Sequence, residues 1–330
     1  MQPLPLHPSH YEQLFRRKST QSFSKQPYQW QEAVGGGLIS CAERNIDLKQ
    51  LCVRPTGGGK TLLFNVVAAH LKGVTIMISP LLSLGADQFR KVLQNTTADR
   101  SITAFHLNEL KPSEVHKLLA GLKNLSPSKT VVLITSPQTL LSRAIAPILN
   151  HLIESNMIRF VVYDEIHLAA HFGSSFRQEF GHLKARFFHR LPPALPMLFM
   201  TATCTPSIRD SFECLIGTQI NHVHWPSPMN MVSRKMAISF RYTTHPKTHV
   251  KKLLERDLKA DPNLPNKVII YSNGRGKIRA FADSLKEWFY GHKWLWYDPS
   301  LLAFQDDGYW YHISQIVPNH GPGAPLNNRF

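Results

Sequence analysis

Short runs of apolar residues, many of them β-branched, recur through the first two thirds of the chain and alternate with segments of helical spacing. The runs lie at residues 51–53, 73–79, 101–105, 129–135, 158–163 and 197–200. The segments with helical spacing lie at residues 81–93, 112–122 and 138–153. Strands that are apolar throughout and alternate with helices are typical of a parallel sheet covered on both faces. The pattern therefore predicts an α/β fold with a doubly wound parallel sheet, whose ligand site lies at the carboxyl ends of the strands.

The same pattern divides the chain into four segments. Residues 1–24 are rich in proline and polar residues and predict a disordered N-terminal segment. A first α/β domain is expected at residues 25–225, followed by a linker at 226–236 that begins in a Trp-Pro-Ser-Pro run. Residues 237–330 predict a second, partial α/β domain with a divergent, aperiodic tail. In that domain, strands are expected at 237–242 and 267–273, and helices at 247–258 and 275–285.

A glycine-rich loop follows the first predicted strand. Residues 55–61, which we call the phosphate loop, read Pro-Thr-Gly-Gly-Gly-Lys-Thr and lead directly into a helical pattern. Glycines let backbone N–H groups converge on a phosphate, and the helix N-terminus adds unpaired donors. Lys60 can reach terminal phosphates, and the Thr61 hydroxyl can bind Mg²⁺. Arg54 stands where such loops usually have their first glycine, so a connector without a ligand is the alternative. The predicted nucleotide-binding residues here are Thr56, Gly57, Gly58, Gly59, Lys60 and Thr61.

An acidic pair follows a later strand of the same predicted sheet. Asp164 and Glu165 come directly after the apolar run at 158–163. A carboxylate at this position can hold Mg²⁺ beside a phosphate loop, and a second carboxylate can polarise an attacking water. Such a pair alone is common and needs no function. Together with the loop at 55–61, it predicts a site that hydrolyses a nucleoside triphosphate, with Lys60, Asp164 and Glu165 as its catalytic residues.

Composition narrows the choice of partners. The 330-residue chain has a formal net charge of +16 and a pI near 9.8. This charge favours nucleic acid first and an anionic membrane surface second, and a basic surface without a partner is the third interpretation. No apolar run approaches the roughly 20 residues of a membrane span, and no signal peptide is recognised at residues 1–8. The four cysteines and 17 histidines show no metal-binding spacing, so no zinc site is expected and the cysteines indicate a reducing, intracellular compartment.

Motifs at several further places belong to one known arrangement. They are Ser79-Pro80-Leu81-Leu82-Ser83-Leu84 followed by Asp87-Gln88, then Ser136-Pro137-Gln138, Asp164-Glu165-Ile166-His167 and Thr201-Ala202-Thr203, with Gln29 upstream of the phosphate loop. Together with the loop at 55–61, these motifs resemble those of the RecQ-type DNA helicases, which are DExH-box proteins of helicase superfamily 2. The resemblance extends over about residues 25–288 and is strongest to about residue 205.

The most discriminating stretch of the resemblance is residues 167–180. It is similar, without a gap, to the aromatic-rich loop of RecQ helicases, which senses single-stranded DNA in that family. Phe172 and Phe176 can stack on bases, and Arg177 can pair with phosphate. The chain departs from the family pattern at Phe172, where a Trp is usual, and at residues 174–175, where Ser-Ser replaces His-Asp.

The resemblance implies two RecA-like domains, the second one partial, and an ATP-dependent DNA helicase of 3′–5′ direction that acts in DNA repair and recombination. It implies ATP and Mg²⁺ as cofactors, DNA as the partner, and a nuclear location if the chain is eukaryotic. Roles carried over from the family fall on three groups of residues. They are Gln29 for adenine; Ser79, Pro80, Ser136, Phe172, Phe176 and Arg177 for DNA; and His167, Thr201 and Thr203 for coupling.

Two motifs of the second helicase domain are not found in the sequence. Beyond residue 290 there is neither an Ala-Thr-x-Ala-Phe-Gly-Met-Gly-like run nor a Gln-x-x-Gly-Arg-x-Gly-Arg run. The second of these supplies arginines that stabilise charge on the γ-phosphate, and an arginine of this kind is worth about 10³–10⁵ in rate. The alternative is therefore a helicase relative that binds ATP and DNA without unwinding. A P-loop ATPase that acts on something other than nucleic acid is the third hypothesis.

Overall fold

The computed structural model describes residues 8–55, 57–95, 102–171, 177–226, 242–260 and 275–288. The chain divides into two compact units, residues 1–234 and 235–330. The first unit contains one parallel sheet, which in the described residues has seven strands in the order β3-β4-β2-β5-β6-β1-β7. The strands are β1 Lys49–Val53, β2 Gly73–Ile78, β3 Ile102–His106, β4 Thr130–Thr135, β5 Ile158–Tyr163, β6 Met197–Thr201 and β7 His222–His224.

Helices cover both faces of this sheet. In the first unit they are α1 Pro8–Phe23, α2 Gln29–Glu43, α3 Lys60–Leu71, α4 Leu82–Asn95, α5 Pro112–Lys123, α6 Pro137–Leu140, α7 Ala146–Glu154, α8 Ile166–His171, α9 Arg177–Arg186 and α10 Pro206–Ile216, with short 3₁₀ helices at Leu107–Glu109 and Phe188–Arg190. Within the described residues, no helix is long and apolar enough to cross a membrane.

The continuous apolar runs are strands because the sheet is buried from both sides. Along β5, Val161 and Tyr163 pack in one hydrophobic cluster, whereas Phe160 and Val162 pack in the cluster on the other face. Alternate residues of a strand point to opposite faces, so a strand buried on both sides needs apolar residues at every position. The predicted doubly wound α/β fold is confirmed.

Three adjacent strands bring the predicted site residues to one edge of the sheet. β6 lies between β5 and β1, and Val53 is paired with Thr201 across β1 and β6. The loop after β1, the acidic pair after β5 and the end of β6 therefore open on the same side. In a parallel sheet this is the side of the carboxyl ends, where ligands bind.

The prediction of a disordered segment at residues 1–24 is wrong for residues 8–23, which form α1. Its buried side chains include Phe15, with 0% of its surface exposed, and Phe23, with 5%. The buried face also carries Ser19 and Ser22, so the helix lacks the strong apolar stripe by which a sequence pattern identifies a packed helix. Residues 1–7 lie outside the described part of the chain.

One predicted helix, at residues 138–153, is instead two helices, α6 and α7. The break is explained by Pro147, which follows Ala146 at the start of α7. Proline has no N–H to donate to the preceding turn and is tolerated only in the first turn of a helix. A helix therefore cannot run unbroken through residues 143–147, and α7 begins just before the proline.

The second unit contains two described helices, α11 Pro246–Ala260 and α12 Arg275–Trp288. They pack through Phe281 and Leu285, which are buried against Val250, Leu254 and Trp288. The helices predicted at 247–258 and 275–285 correspond to these two. The strands predicted at 267–273 and, for residues 237–241, at the start of the second domain lie outside the described residues, as does the tail after residue 288.

Candidate functional site

The loop between β1 and α3 has a conformation that requires its glycines. Gly57 has φ +77° and Gly59 has φ +87°, and residues other than glycine rarely adopt a backbone conformation in this region. A Cβ on Gly58 would lie 2.9 Å from the carbonyl oxygen of Pro55. All three glycines are therefore needed for this turn into the N-terminus of α3. Thr56 lies outside the described residues.

Lys60 is the first residue of α3 and points back into the loop. Its Nζ donates to the carbonyl oxygen of Arg54 at 3.0 Å and lies 4.0 Å from Oε1 of Glu165. Only 11% of the lysine side chain and 16% of the glutamate side chain are exposed. The ammonium group thus sits between the phosphate loop and the acidic pair, where it can reach an anion bound by the loop.

A chain of hydrogen bonds joins Thr61 to Asp164. The Thr61 hydroxyl donates to Oε1 of Gln88 at 3.0 Å, and Nε2 of Gln88 donates to Oδ2 of Asp164 at 3.3 Å. The two oxygen ligands predicted for Mg²⁺ are therefore held on either side of one amide. Gln88 belongs to α4 and was noticed in the sequence only as part of a motif, because nothing local indicates which polar side chain of a helix reaches a distant strand.

The two acidic side chains have pKa values shifted in opposite directions. Burial first and the charge of Glu165 second raise the pKa of Asp164 from its ordinary value of 3.8 to about 6. Burial would also raise the pKa of Glu165, but the hydrogen bond from His167 and the charge of Lys60 outweigh it and hold that pKa below its ordinary value. Glu165 is thus ionised at neutral pH, while ionised Asp164 is costly to bury without a cation.

Replacing Asp164 by Asn is expected to stabilise the metal-free protein at pH 7.5 by about 1–3 kcal/mol. Because folding raises the pKa of Asp164, the folded state holds this proton more tightly, and stability is lost as the pH rises through about 6. The difference from the native protein should shrink at pH 5, where the folded protein keeps the proton. Urea unfolding in EDTA at both pH values measures it, with exposed Asp210→Asn as the control. An Asn variant less stable than the native protein at pH 7.5 would contradict this sign.

A polar network connects the acidic pair to the end of β6. His167 Nδ1 lies 2.9 Å from the Thr201 hydroxyl and 3.2 Å from Oε2 of Glu165. The Thr201 hydroxyl itself donates to the carbonyl oxygen of Thr203 at 2.8 Å, so Nδ1 of His167 carries the proton in this arrangement. Glu165 has φ +52°, an unusual backbone conformation for this residue type. The predicted coupling residues His167, Thr201 and Thr203 thus form one hydrogen-bonded group with Glu165.

A glutamine does contact the phosphate loop, and it is Gln31. Its Nε2 donates to the carbonyl oxygen of Gly59 at 2.8 Å, and its Oε1 accepts from the backbone N–H of Tyr28 at 2.7 Å. Gln29, which the sequence singled out, is exposed and has no described contact with the loop. The Tyr28 ring lies beside Gly59 and is 62% exposed. Two residues along a helix turn the side chain by roughly 200°, so only one of the two glutamines can face the loop.

Arg54, which replaces the usual first glycine, lies in a stack of side chains. Its guanidinium carbon is 4.4 Å from the centre of the Trp30 ring, and Nη2 lies 2.6 Å from Nε2 of His224. The Trp30 and His224 rings stack with centroids 6.0 Å apart. Burial first and the charge of Arg54 second lower the pKa of His224, so Nε2 accepts from the arginine. The stack ties the start of the loop to the edge strand β7.

The predicted DNA-contacting residues are placed less uniformly. Ser79 and Ser136 are buried, and their hydroxyls are bonded within the protein, to the carbonyl oxygen of Leu81 and to the first turn of α6. Pro80 is half-buried. The structure brings these three to the same edge as the phosphate loop, since they follow β2 and β4. Phe172 and Phe176 lie outside the described residues, and Arg177 begins α9 without a described side chain.

Comparisons with known proteins agree on one family. The model of the DEAD/DEAH box helicases matches residues 40–211, just over half of the chain. The chain is 32% identical over 159 residues to ATP-dependent DNA helicase Q5 of Rattus norvegicus, covering 47% of this chain and 15% of that protein. It is 29% identical over 240 residues to ATP-dependent DNA helicase RecQ of Pasteurella multocida, covering 72% of this chain and 34% of that protein.

The fold is also similar to that of solved helicases. The crystal structure of the DUF1998 helicase MrfA bound to DNA and AMPPNP superposes with a TM-score of 0.55 at 16% identity, covering 86% of this chain and 40% of that one. At that identity the likeness supports the fold and nothing finer. The chain spans about a third or less of the length of the two relatives named above.

Proposed function

Because the chain belongs to the DEAD/DEAH box helicase family, we propose that it is an ATP-dependent DNA helicase or translocase of RecQ type. In this proposal the phosphate loop binds ATP, the acidic pair supports its hydrolysis, and single-stranded DNA is the partner. The observation that carries it is the hydrogen-bonded chain from Thr61 through Gln88 to Asp164, with Lys60 and Glu165 beside it. These groups come from α3, from α4 and from the segment between β5 and α8, and they converge at one edge of the sheet.

The triphosphate is bound by the loop and by Lys60. The turn at Gly57 to Gly59 directs backbone donors and the N-terminus of α3 toward a bound anion. Lys60 then exchanges its hydrogen bond with the carbonyl of Arg54 for one with a phosphate oxygen, which is a stronger, charge-assisted contact.

The donor set fits Mg²⁺. The Thr61 hydroxyl and the Asp164 carboxylate offer oxygen ligands, and Mg²⁺ typically takes one or two protein oxygens together with phosphates and water. When bound, the ion neutralises charge on the phosphates. The raised pKa of Asp164 also supports a bound cation, because a buried carboxylate with no cation nearby favours its protonated form.

Glu165 serves as the base in hydrolysis. Its lowered pKa keeps it ionised at neutral pH, so it can accept a hydrogen bond from the attacking water and then its proton. The water oxygen forms the new bond to the γ-phosphorus as the bond to the β–γ bridging oxygen breaks, giving ADP and phosphate. His167 holds the same carboxylate and is bonded to Thr201, so the base is tied to the end of β6.

The adenine base lies at the start of α2. The exposed ring of Tyr28 provides a surface for stacking, and Gln31 is the glutamine next to the loop. We therefore transfer to Gln31 the adenine-reading role that the sequence motif suggested for Gln29. An amide both donates and accepts, as recognition of an adenine edge requires.

DNA is the proposed partner for two independent reasons. The net charge of +16 favours a polyanion, and the relatives named above are DNA helicases by name. In the proposal, a change at Glu165 and His167 is transmitted through α8 to residues 172–176, whose aromatic side chains stack on bases. By the same resemblance, we propose an intracellular site of action, nuclear in a eukaryote, and translocation in the 3′–5′ direction.

A second candidate function is binding of ATP and DNA without unwinding. It is favoured by the sequence itself, which contains no Gln-x-x-Gly-Arg-x-Gly-Arg run to supply arginines to the γ-phosphate. Hydrolysis by this chain would then be slow, and strand separation absent, although both ligands bind.

Single-stranded DNA is expected to raise the steady-state rate of ATP hydrolysis by the purified chain. The test measures phosphate release with Mg²⁺, with and without single-stranded DNA, and separation of a tailed duplex in parallel. Heparin serves as a control polyanion, because stimulation that depends on charge alone should be equally strong with heparin and with DNA. Stimulated hydrolysis with strand separation supports the helicase. Binding of both ligands without turnover supports the second candidate, and absence of ATP binding overturns both.

A further inference from the structure

Helix α2 contains three consecutive glycines at residues 35–37, in a helix that packs against α1. Glycine disfavours a helix interior, so such a run needs a structural reason. A Cβ on Gly35 would overlap the ring of Phe15, and a Cβ on Gly36 would lie 2.9 Å from the backbone nitrogen of Glu12. Gly37 would meet nothing within 4 Å. Two of the three glycines are therefore required by the close approach of α1, and the third is not.

An ion pair fixes the same contact nearer the start of α2. Nε and Nη2 of Arg16 donate to the two carboxylate oxygens of Glu32, each at 2.7 Å. Glu32 is only 3% exposed, and a buried carboxylate is unfavourable unless it is paired. Ser19 adds a hydrogen bond from its hydroxyl to the carbonyl oxygen of Lys25 at 2.7 Å, which holds the connection between the two helices.

These contacts lie next to the residues that face the phosphate loop. Glu32 directly follows Gln31, whose amide bonds to Gly59 on one side and to the backbone of Tyr28 on the other. The space available there is small, since a Cβ on Gly59 would lie 2.7 Å from the Gln31 amide nitrogen. A small displacement of the first turn of α2 would therefore break or distort the hydrogen bond between Gln31 and Gly59.

We propose that α1 is a positioning element for the base-recognising side of the ATP site. By packing on Gly35 and Gly36 and pairing with Glu32, it sets the position of α2 and so aligns Tyr28 and Gln31 with the loop. α1 also packs against α3, which carries Lys60, but among the described residues neither Lys60 nor Asp164 has a hydrogen bond or ion pair with a residue of α1. This inference rests on the proposed function, because it assigns α1 a part in binding the same nucleotide.

The glycine run supplies a matched pair of variants. Gly36→Ala places a methyl group against the backbone of α1, which cannot turn away as a side chain can, whereas Gly37→Ala adds the same methyl group in open space. Binding of ATP and of inorganic tripolyphosphate is measured for both, with Mg²⁺. We expect Gly36→Ala to weaken ATP binding by about tenfold, the worth of roughly one hydrogen bond, and to leave tripolyphosphate binding unchanged. Gly37→Ala should match the native protein for both ligands.

Arg16→Met is a second variant, in case Gly36→Ala does not fold. It leaves Glu32 unpaired without adding bulk and should show the same selective loss, with partial recovery in Arg16→Lys. Native ATP affinity in both Gly36→Ala and Arg16→Met overturns the inference, and so does an equal loss of ATP and tripolyphosphate, which would mean that the phosphate loop itself is disturbed. If the native chain binds no ATP, the proposed function fails, whereas native binding with unaffected variants rejects only the role of α1.

Discussion

Glu165→Gln should lower the rate of ATP hydrolysis by about 10²–10⁴-fold, the usual contribution of a general base. The amide keeps the size and some of the hydrogen bonding of the carboxylate but cannot take a proton from water. ATP affinity should equal or exceed that of the native protein, because the carboxylate of Glu165 lies 4.0 Å from Lys60 and opposes the binding of an anion. Phosphate release and binding of a non-hydrolysable ATP analogue measure the two effects.

The matched control is Glu154→Gln, which makes the same chemical change at an exposed position near the end of α7. It should leave both the rate and the affinity unchanged. Turnover in Glu165→Gln at the native rate would remove this residue from the chemistry and leave the base to be sought elsewhere. A parallel loss of analogue binding would indicate that the variant has disturbed the loop.

Lys60→Ala is expected to weaken ATP binding by about 100-fold, because it removes a charge-assisted contact to phosphate that is worth about 1.5–3 kcal/mol. Its ammonium is the cation that lies between the loop and the acidic pair. The change also withdraws one of the charges that lower the pKa of Glu165, so that pKa should rise. Titration with a fluorescent ATP analogue, with and without Mg²⁺, measures the affinity.

Lys117→Ala, at an exposed position on α5, removes the same charge from the protein without touching the loop. Equal losses of affinity in the two variants would mean that binding depends on net charge alone. Unchanged affinity in Lys60→Ala would overturn the assignment of the loop as a nucleotide site.

The sequence pattern predicts the sheet well because burial on both faces leaves a strong signal. The runs at 73–79 and 158–163 correspond to β2 at Gly73–Ile78 and β5 at Ile158–Tyr163. β7 was not predicted. It has three residues, His222 to His224, and its edge position allows polar side chains, so neither its length nor its composition distinguishes it from a loop.

The candidate site divides in the same way. Lys60, Thr61, Asp164 and Glu165 could be predicted from the sequence because each stands next to a strand end or helix start that the pattern locates. Gln31 could not, since choosing between two glutamines two residues apart requires the rotation of α2 about its axis. α2 also packs against α1, whose buried face of aromatic and serine residues gives little periodic signal.

The stack of Trp30 with Arg54 and His224 has a practical consequence. The emission of an indole responds to the charges and the packing beside its ring, so the emission of Trp30 depends on the position of the Arg54 guanidinium. Arg54 also provides the carbonyl oxygen to which Lys60 donates. The fluorescence of Trp30 can therefore report on the phosphate loop. The part of the emission that Trp30→Phe removes should change when nucleotide binds.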